Sequence, residues 1–188
     1  MQIHLIRHTQ PDIATGICYG QSDISLATSF EAEKLAILQQ LNNKYEVVFS
    51  SPLSRCTQLA ESIPTQIYQT DNRLLEMNFG VWELKPWAHI QSTQFDLWLA
   101  DFVNVQAEQG ESFMQLYQRV SDFLDDLLTQ DYESVAIVTH AGVVRALWAW
   151  ILEIPLQNMF RLQVKYGDIC TVQLKFPKTH CVIYQGLM

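Results

Sequence analysis

Residues 134–152 read SVAIVTHAGVVRALWAWIL, in which β-branched and small apolar residues lead directly into a helical pattern. The apolar run predicts a buried strand over Ser134–Thr139, and the residues from His140 through Leu152 predict a helix. A buried strand that feeds a helix is the repeating unit of α/β proteins with a parallel sheet. This segment therefore predicts an α/β domain built around such a sheet.

Strand patterns recur along the chain with helical patterns between most of them, which favours a mostly parallel sheet. The other predicted strands are Ile3–Ile6, Glu46–Ser50, residues 66–69, Cys170–Phe176 and Cys181–Tyr184, the last two meeting around Pro177.

Helix signals are present in the intervening segments. Thr28 and Glu31 have the spacing of a capping box, which predicts a helix that runs to about Leu41. Apolar residues recur at helical spacing over 112–129 and predict a long amphipathic helix. The segment Trp87–Phe102 is expected to be helical in part.

Composition limits the class of protein and its partners. The chain has 188 residues, 12 Lys and Arg and a net charge of -8, which fits a single domain (residues 1–188) and disfavours binding to nucleic acid or to an anionic membrane surface. The most apolar run, Ala146–Leu152, is far too short to span a bilayer. Four cysteines without C-x-x-C spacing favour reduced thiols, and we expect a cytoplasmic location.

Cationic and imidazole side chains lie where the predicted strands end. The first strand ends at Arg7 and His8, the fourth at His140, and Ser51-Pro52 ends the second. Pro52 suits the first turn of a helix, one that carries Arg55, Leu59 and Ile63. Ligands of parallel sheets bind beyond the carboxyl ends of the strands, so these side chains are expected to converge there.

A phosphate group is the ligand that this set of side chains fits. Guanidinium groups donate paired hydrogen bonds to phosphate oxygens, and the free N–H groups of Ala141 and Gly142 would add donors at a helix start. A neutral histidine nitrogen can also attack phosphorus. A zinc site that includes His8 and His140 is the metal alternative, but neighbouring arginines would repel a cation.

Phosphoryl transfer also needs a proton donor for the leaving oxygen. Two carboxylates, Glu76 and Glu83, lie in the apolar segment LLEMNFGVWE at 74–83. Spacing alone leaves the choice between them open.

Four sequence blocks resemble, in order, the motifs of the histidine phosphatase (phosphoglycerate mutase-like) superfamily, and a fifth is similar to a further family element. These blocks are Arg7-His8-Thr9, Ser50 through Arg55, Leu75-Glu76 with Phe79 through Glu83, Thr139 through Gly142, and Gly110-Glu111-Ser112 at a helix start. The resemblance implies a three-layer α/β/α sandwich whose central sheet is mostly parallel, with one antiparallel strand from the 170–184 region.

The resemblance also implies roles for individual residues. His8 would be the nucleophile that becomes phosphohistidine, while Arg7, Arg55 and His140 would hold the phosphoryl oxygens. Glu76, rather than Glu83, matches the family's proton donor. No metal or cofactor is implied.

Departures from the family pattern favour a phosphatase over a mutase. Mutases of the family carry Ser and Asn at the positions of Pro11 and Ala14, and they carry an extra segment over the active site. In this chain, Thr9, Thr15 or Gln21 would have to make the phosphate contact that the Asn makes in the mutases.

The segment from Pro11 to Asp23 most resembles the α-ribazole phosphatases of cobalamin synthesis, which implies a small phosphorylated metabolite with an aromatic base. Tyr19, Trp82 and Trp87 are candidates for stacking on that base, with core packing as the competing role. A broad sugar-phosphate or nucleotide phosphatase would need the same catalytic residues, and a non-catalytic module that binds a phosphorylated ligand would need only some of them. The oligomeric state stays open, with a homodimer among the options.

Overall fold

A central β-sheet organises the computed structural model, which describes residues 1–41, 44–175 and 180–185. The described strands are β1 (Gln2–Arg7), β2 (Tyr45–Ser50), β3 (Thr65–Thr70), β4 (Ser134–Thr139), β5 (Ile169–Lys175) and β6 (His180–Gln185). They pair in the order β3-β2-β4-β1-β5-β6. Strands β1 to β4 run parallel to their neighbours in that group, whereas β5 is antiparallel to both β1 and β6. The expected mostly parallel sheet, with an antiparallel strand from the 170–184 region, is therefore confirmed.

Helices cover both faces of this sheet. The described α-helices are α1 (Phe30–Gln40), α2 (Ser54–Ala60), α3 (Thr93–Ala100), α4 (Phe113–Leu128) and α5 (Ala141–Leu152). Alternate strand residues point to opposite faces, so Leu5 packs in one cluster with α4 and α5, while Ile6 packs in the other with α1 and α2. The result is the predicted three-layer α/β/α sandwich.

The capping box predicted at Thr28 and Glu31 is wrong. Helix α1 begins at Phe30 with Ser29 as its N-cap residue. The Ser29 hydroxyl donates to the Glu33 carboxylate at 2.6 Å, and that carboxylate also accepts the Gln10 main-chain N–H at 2.9 Å. Glu33 thus connects the start of α1 to the loop that follows β1 by hydrogen bonds.

The prediction for the second helix is wrong at both ends. Helix α2 begins at Ser54, two residues after Pro52, because the Asp23 carboxylate accepts both the main-chain N–H and the hydroxyl of Ser54. Its last residue is Ala60, so Ile63 lies beyond the helix.

The remaining predicted elements agree with the structure. Residues 66–69 lie within β3, the long helix predicted over 112–129 is α4, and Trp87–Phe102 contains a short 3-10 turn followed by α3. The predicted strand end at Phe176 and the connection around Pro177 lie outside the described residues. No helix in the described ranges has the length and apolar character needed to cross a membrane.

The sheet brings the predicted site residues to one edge. Arg7 of β1 is in register with Thr139 of β4, and the His8 N–H donates to the Thr139 carbonyl at 2.9 Å. The Ser51 N–H donates to the Val138 carbonyl at 3.0 Å. The carboxyl ends of β1, β2 and β4 therefore meet where the site is built.

Candidate active site

Two buried histidines face each other at this edge of the sheet. The rings of His8 and His140 have centroids 5.0 Å apart and are inclined by 65°. Both side chains are almost fully removed from solvent. The structure therefore brings together the two histidines that the sequence places at the ends of β1 and β4.

The proton on His8 is placed by a short hydrogen bond. Its Nδ1 lies 2.6 Å from the Thr9 carbonyl oxygen, and since a carbonyl can only accept, Nδ1 carries the hydrogen. Burial, followed by the charges of Arg55 and Arg7, lowers the pKa of His8 well below its ordinary value. The ring is therefore neutral at pH 7, with an unprotonated Nε2.

Arg7 is held without a carboxylate partner among the described residues. A terminal nitrogen donates to the Val164 carbonyl at 2.6 Å, and the guanidinium carbon lies 3.8 Å from the centroid of the Tyr166 ring. The Nε atom is buried and finds no partner among the described residues. In this part of the chain, no carboxylate therefore pairs with the positive charge of Arg7.

Arg55 is fully buried and is held in the same way. Its two terminal nitrogens donate to the carbonyls of Ser22 and Gly20, at 2.8 and 2.6 Å. Its Nε atom also lacks a partner in the described part of the chain. A buried donor left without an acceptor costs about 1–3 kcal/mol, so both arginines are prepared for an anion that supplies the missing oxygens.

His140 is held by contacts with Ser51 and Cys56. Its Nε2 is hydrogen-bonded to the Ser51 hydroxyl at 2.7 Å, and the Cys56 sulfur lies 3.5 Å from the same nitrogen. Burial is the main cause that lowers the pKa of His140 well below its ordinary value, followed by the electrostatic effects of the neighbouring His8 ring, Arg55 and Arg7. His140 is therefore a neutral polar group packed beside His8.

The Glu76 carboxylate accepts a hydrogen bond from a main-chain N–H, that of Gly142, which the sequence pattern assigns to phosphate binding. Its carboxylate accepts the N–H of Gly142 at 3.1 Å and that of Met77 at 2.9 Å. The Gly142 N–H is therefore not free, and of the two predicted helix donors only Ala141 lacks a partner in the described residues. The first turn of α5 orients a carboxylate at the cavity wall.

The main chain of Glu76 is also restrained. Its carbonyl accepts Nε2 of Gln21 at 3.0 Å and a terminal nitrogen of Arg119 at 2.9 Å. Arg119 is itself paired with Glu111, whose carboxylate also accepts the Asn78 N–H. The side chain of Gln21, predicted to bind phosphate, is thus engaged in holding the Glu76 segment.

Glu83 has a different environment from Glu76. Its carboxylate accepts the N–H groups of Gln21, Ser22 and Phe79 as well as the Ser22 hydroxyl. Burial alone would raise the pKa of Glu83. These hydrogen bonds, led by the one from the Ser22 hydroxyl, lower the pKa by more, so that it lies below its ordinary value. Glu83 fastens the loop after β1, whereas Glu76 lines the cavity. The two carboxylates that spacing could not separate therefore have distinct surroundings.

A cavity of about 450 Å³ opens beside His8, and neither Arg55 nor His140 is among its lining residues. Arg7, His8 and Glu76 contribute to its lining, as do Thr15 and Tyr19 from the loop after β1. The Thr9 hydroxyl is buried and has no hydrogen-bond partner in the described residues.

Stacking of Trp82 on a ligand is contradicted by the structure. Its side chain is 2% exposed and packs in the core against Phe95 and Trp98. Core packing, the competing role for these aromatics, applies to Trp82. Trp87 does line the cavity.

Sequence reasoning missed several cavity residues, of which Arg145 and Tyr166 bear most on the chemistry. Arg145 lies one helical turn after Ala141, a spacing that places it on the same helix face and could have identified it. Tyr166 comes from an irregular segment before β5, where no periodicity points to the cavity.

The described residues contain no cluster of three or more His, Cys, Asp or Glu side chains that could hold a metal ion. The Ser51 hydroxyl and the Cys56 sulfur contact His140, and the charges of Arg55 and Arg7 act on both histidines, which suits an anion better than a cation.

Comparisons with known proteins agree with this geometry. A model of the histidine phosphatase superfamily (branch 1) matches residues 3–185. The chain is 29% identical to the adenosylcobalamin/alpha-ribazole phosphatase of Escherichia coli, over 89% of this chain and 87% of that protein. It is 28% identical to a Hydrogenobacter thermophilus protein provisionally named phosphoserine phosphatase 2, over 99% of this chain and 96% of the relative.

A solved structure is also similar. The alpha-ribazole phosphatase from Shigella flexneri superposes with a TM-score of 0.87, covering 98% of this chain and 95% of the other at 23% identity. At that identity the likeness shows a shared fold.

Proposed function

Since this chain belongs to the histidine phosphatase superfamily and is a phosphatase that acts on small phosphorylated substrates, we propose that it hydrolyses phosphate monoesters through a phosphohistidine on His8. One observation carries the proposal. The Nδ1–H of His8 is bound to the Thr9 carbonyl, which leaves Nε2 unprotonated beside two arginines that have no carboxylate partner in the described residues.

The first step is attack by His8 on phosphorus. The lone pair of Nε2 forms the N–P bond as the P–O bond to the alcohol breaks. Glu76, in its protonated form, gives its proton to the leaving oxygen and becomes a carboxylate. The hydrogen bonds from Gly142 and Met77 fix the orientation of that carboxyl group.

Charge on the transferred phosphoryl group is stabilised by Arg7 and Arg55, each of which has an unused buried N–H. His140 and the Ala141 N–H contribute further polar contacts at the start of α5. Since the arginines are held by neutral carbonyls, their full charge acts on the phosphoryl oxygens.

The second step returns the enzyme to its resting state. A water molecule gives a proton to the Glu76 carboxylate as its oxygen forms a bond to phosphorus. The N–P bond breaks, its electron pair returns to Nε2, and inorganic phosphate leaves. Water is the proposed acceptor because Pro11 and Ala14 occupy the positions where the mutases have Ser and Asn.

The leading substrate candidate is α-ribazole 5′-phosphate. Much of the cavity wall beyond the phosphate site is apolar and formed by Pro11, Ile13, Ala14, Ile17, Phe79 and Trp87. The Trp87 ring is backed by Trp98, with ring planes 14° apart and centroids 6.0 Å apart. A rigid aromatic wall of this kind suits a flat apolar base attached to the leaving alcohol.

Phosphoserine is the second candidate, and Arg145 favours it. Its Nε donates to the Leu162 carbonyl at 3.1 Å, while its terminal nitrogens have no acceptor among the described residues. A guanidinium at the cavity wall could bind the carboxylate of an amino acid phosphate. The names of curated relatives include both phosphatase types.

A substrate panel tests this proposal. Phosphate release from α-ribazole 5′-phosphate, phosphoserine, sugar phosphates and nucleotides would be compared as kcat/KM, with wild type and His8→Ala. We expect metal-free turnover by wild type, α-ribazole 5′-phosphate as the best substrate and no turnover by His8→Ala. Equal kcat/KM for all panel members would contradict the substrate assignment, and activity in His8→Ala would contradict the chemistry.

A further inference from the structure

The cavity contains a pair of tyrosines to which the phosphatase chemistry gives no role. The phenol oxygens of Tyr19 and Tyr166 lie 2.5 Å apart, within a hydrogen bond that joins residues 147 positions apart in the chain. Tyr19 comes from the loop after β1, and Tyr166 comes from the segment before β5. Both side chains line the cavity, so the bond connects two of its walls.

Each ring of this tyrosine pair lies against one of the phosphate-site arginines. The guanidinium carbon of Arg7 is 3.8 Å from the Tyr166 ring centroid, and that of Arg55 is 5.4 Å from the Tyr19 ring centroid. Both distances are within the range of cation–π attraction. The Tyr166 ring is also 5.6 Å from the ring of His8. The two arginines are thereby linked through two rings and one hydrogen bond.

Hydrogen bonds to main-chain carbonyls also restrain the two arginines. In the described residues neither one pairs with a carboxylate, and their terminal nitrogens donate to carbonyls of Val164, Gly20 and Ser22. Those carbonyls belong to the same two segments as the tyrosines. Fixing an arginine side chain costs conformational entropy. In a preformed site this entropy is lost before the ligand binds, so it does not weaken binding.

We propose that Tyr19 and Tyr166 act as one hydrogen-bonded unit that positions Arg7 and Arg55 for the phosphoryl group. The proposal rests on the proposed function of the site. Aromatic rings suit this task because they restrain a guanidinium without neutralising it, as a carboxylate would. Both tyrosines are positioning residues, and the arginines make the contacts to phosphate.

The test measures binding of inorganic phosphate to the resting enzyme by titration calorimetry. Tyr19→Phe and Tyr166→Phe each remove the phenol link but keep the ring, and each is expected to weaken phosphate binding about 5-fold. The double variant should be no weaker than either single variant, because all three lack the same hydrogen bond. Tyr166→Leu also removes the ring over Arg7 and should weaken binding about another 5-fold.

Tyr132→Phe is the matched control, since Tyr132 packs against the core away from the cavity lining. It should leave phosphate binding unchanged. Thermal unfolding of every variant separates positioning from folding, because a purely structural role would lower Tm without changing the phosphate dissociation constant. Single variants with wild-type phosphate affinity, or a double variant weakened about 25-fold as the product of two independent effects, would overturn the proposal.

A phosphohistidine assay on wild type separates this proposal from the proposed function. If His8 is phosphorylated by substrate but the phenylalanine variants bind phosphate normally, only the tyrosine proposal fails. If the variants weaken phosphate binding as expected but no phosphohistidine forms, the tyrosine proposal stands and the covalent mechanism fails.

Discussion

The Glu76 carboxylate accepts the main-chain N–H of Gly142 at 3.1 Å, at the start of helix α5. A side chain at position 142 would interfere with this contact, because a Cβ there would lie 2.2 Å from a Glu76 oxygen. That oxygen is the far end of a flexible side chain, so the carboxyl group can move while the fold persists.

Gly142→Ala is therefore expected to impair catalysis more than folding. We expect kcat to fall about 100-fold with an alkyl phosphate, since the displaced acid no longer protonates the leaving oxygen. The fall should be much smaller with nitrophenyl phosphate, whose leaving group needs no proton. Steady-state kinetics and thermal unfolding measure the two effects, and an equal loss with both substrates would contradict the explanation.

Glu76→Gln tests the proton-donor role itself. Loss of the ionisable proton should slow hydrolysis of alkyl phosphates by about 10²–10⁴-fold, with a much weaker effect on nitrophenyl phosphate. Glu83→Gln is the matched control, because its carboxylate fastens the Gln21–Ser22 loop by hydrogen bonds and does not line the cavity. It should lower stability without changing the dependence on leaving group. A steep leaving-group dependence in Glu83→Gln alone would reverse the assignment.

The choice between these two acids shows where sequence reasoning reaches its limit. Both glutamates lie in the same apolar segment, and neither periodicity nor spacing says which main-chain N–H groups will surround each one. The answer depends on Gly142 and Ser22, which approach from distant parts of the chain. Long-range contacts of this kind do not leave a local pattern.

Other parts of the site could be predicted from local sequence patterns. The buried strands and the residues at their ends predicted that Arg7, His8 and His140 would meet, because parallel strands end at the same edge of a sheet. Helix starts were less predictable. Asp23 sets the beginning of α2 from a loop, and its effect overrides the local preference of Pro52 for a first helical turn. Tyr166 likewise reaches the site from an irregular segment.

Stability should fall as the pH drops below about 6.5, the ordinary histidine value. Burial is the main cause of the lowered pKa of both His8 and His140. Below pH 6.5 the unfolded chain binds protons that the folded protein does not, which favours unfolding by about 1.4 kcal/mol per pH unit for each histidine. The loss continues until the pH reaches the lowered folded values.

Denaturant unfolding at several pH values between 7.5 and 5.5 measures this dependence. His8→Asn and His140→Asn should each flatten the slope, whereas a substitution of the exposed His89 with Gln should leave it unchanged. A wild-type free energy of unfolding that does not change over this range would show that the folded protein and the unfolded chain bind the same number of protons, which would contradict the lowered pKa of these histidines.

Arg145→Met should change substrate preference rather than phosphate chemistry. If the guanidinium binds a carboxylate on the leaving alcohol, kcat/KM for phosphoserine should fall about 10- to 100-fold, with little change for phenyl phosphate. Exposed Arg161 provides the control, since Arg161→Met removes the same charge outside this cavity. An equal fall for both substrates in Arg145→Met would instead assign Arg145 to the transferred phosphoryl group.

The central claim is that catalysis passes through a covalent bond between His8 and phosphorus. Rapid mixing with a phosphorylated substrate, a quench at alkaline pH and mass spectrometry of the digested protein would locate the phosphate. We predict an acid-labile phosphate on the peptide that contains His8, formed by wild type and absent from His8→Ala. Phosphate retained on the His8→Ala protein, or found on another residue of wild type, would contradict the claim.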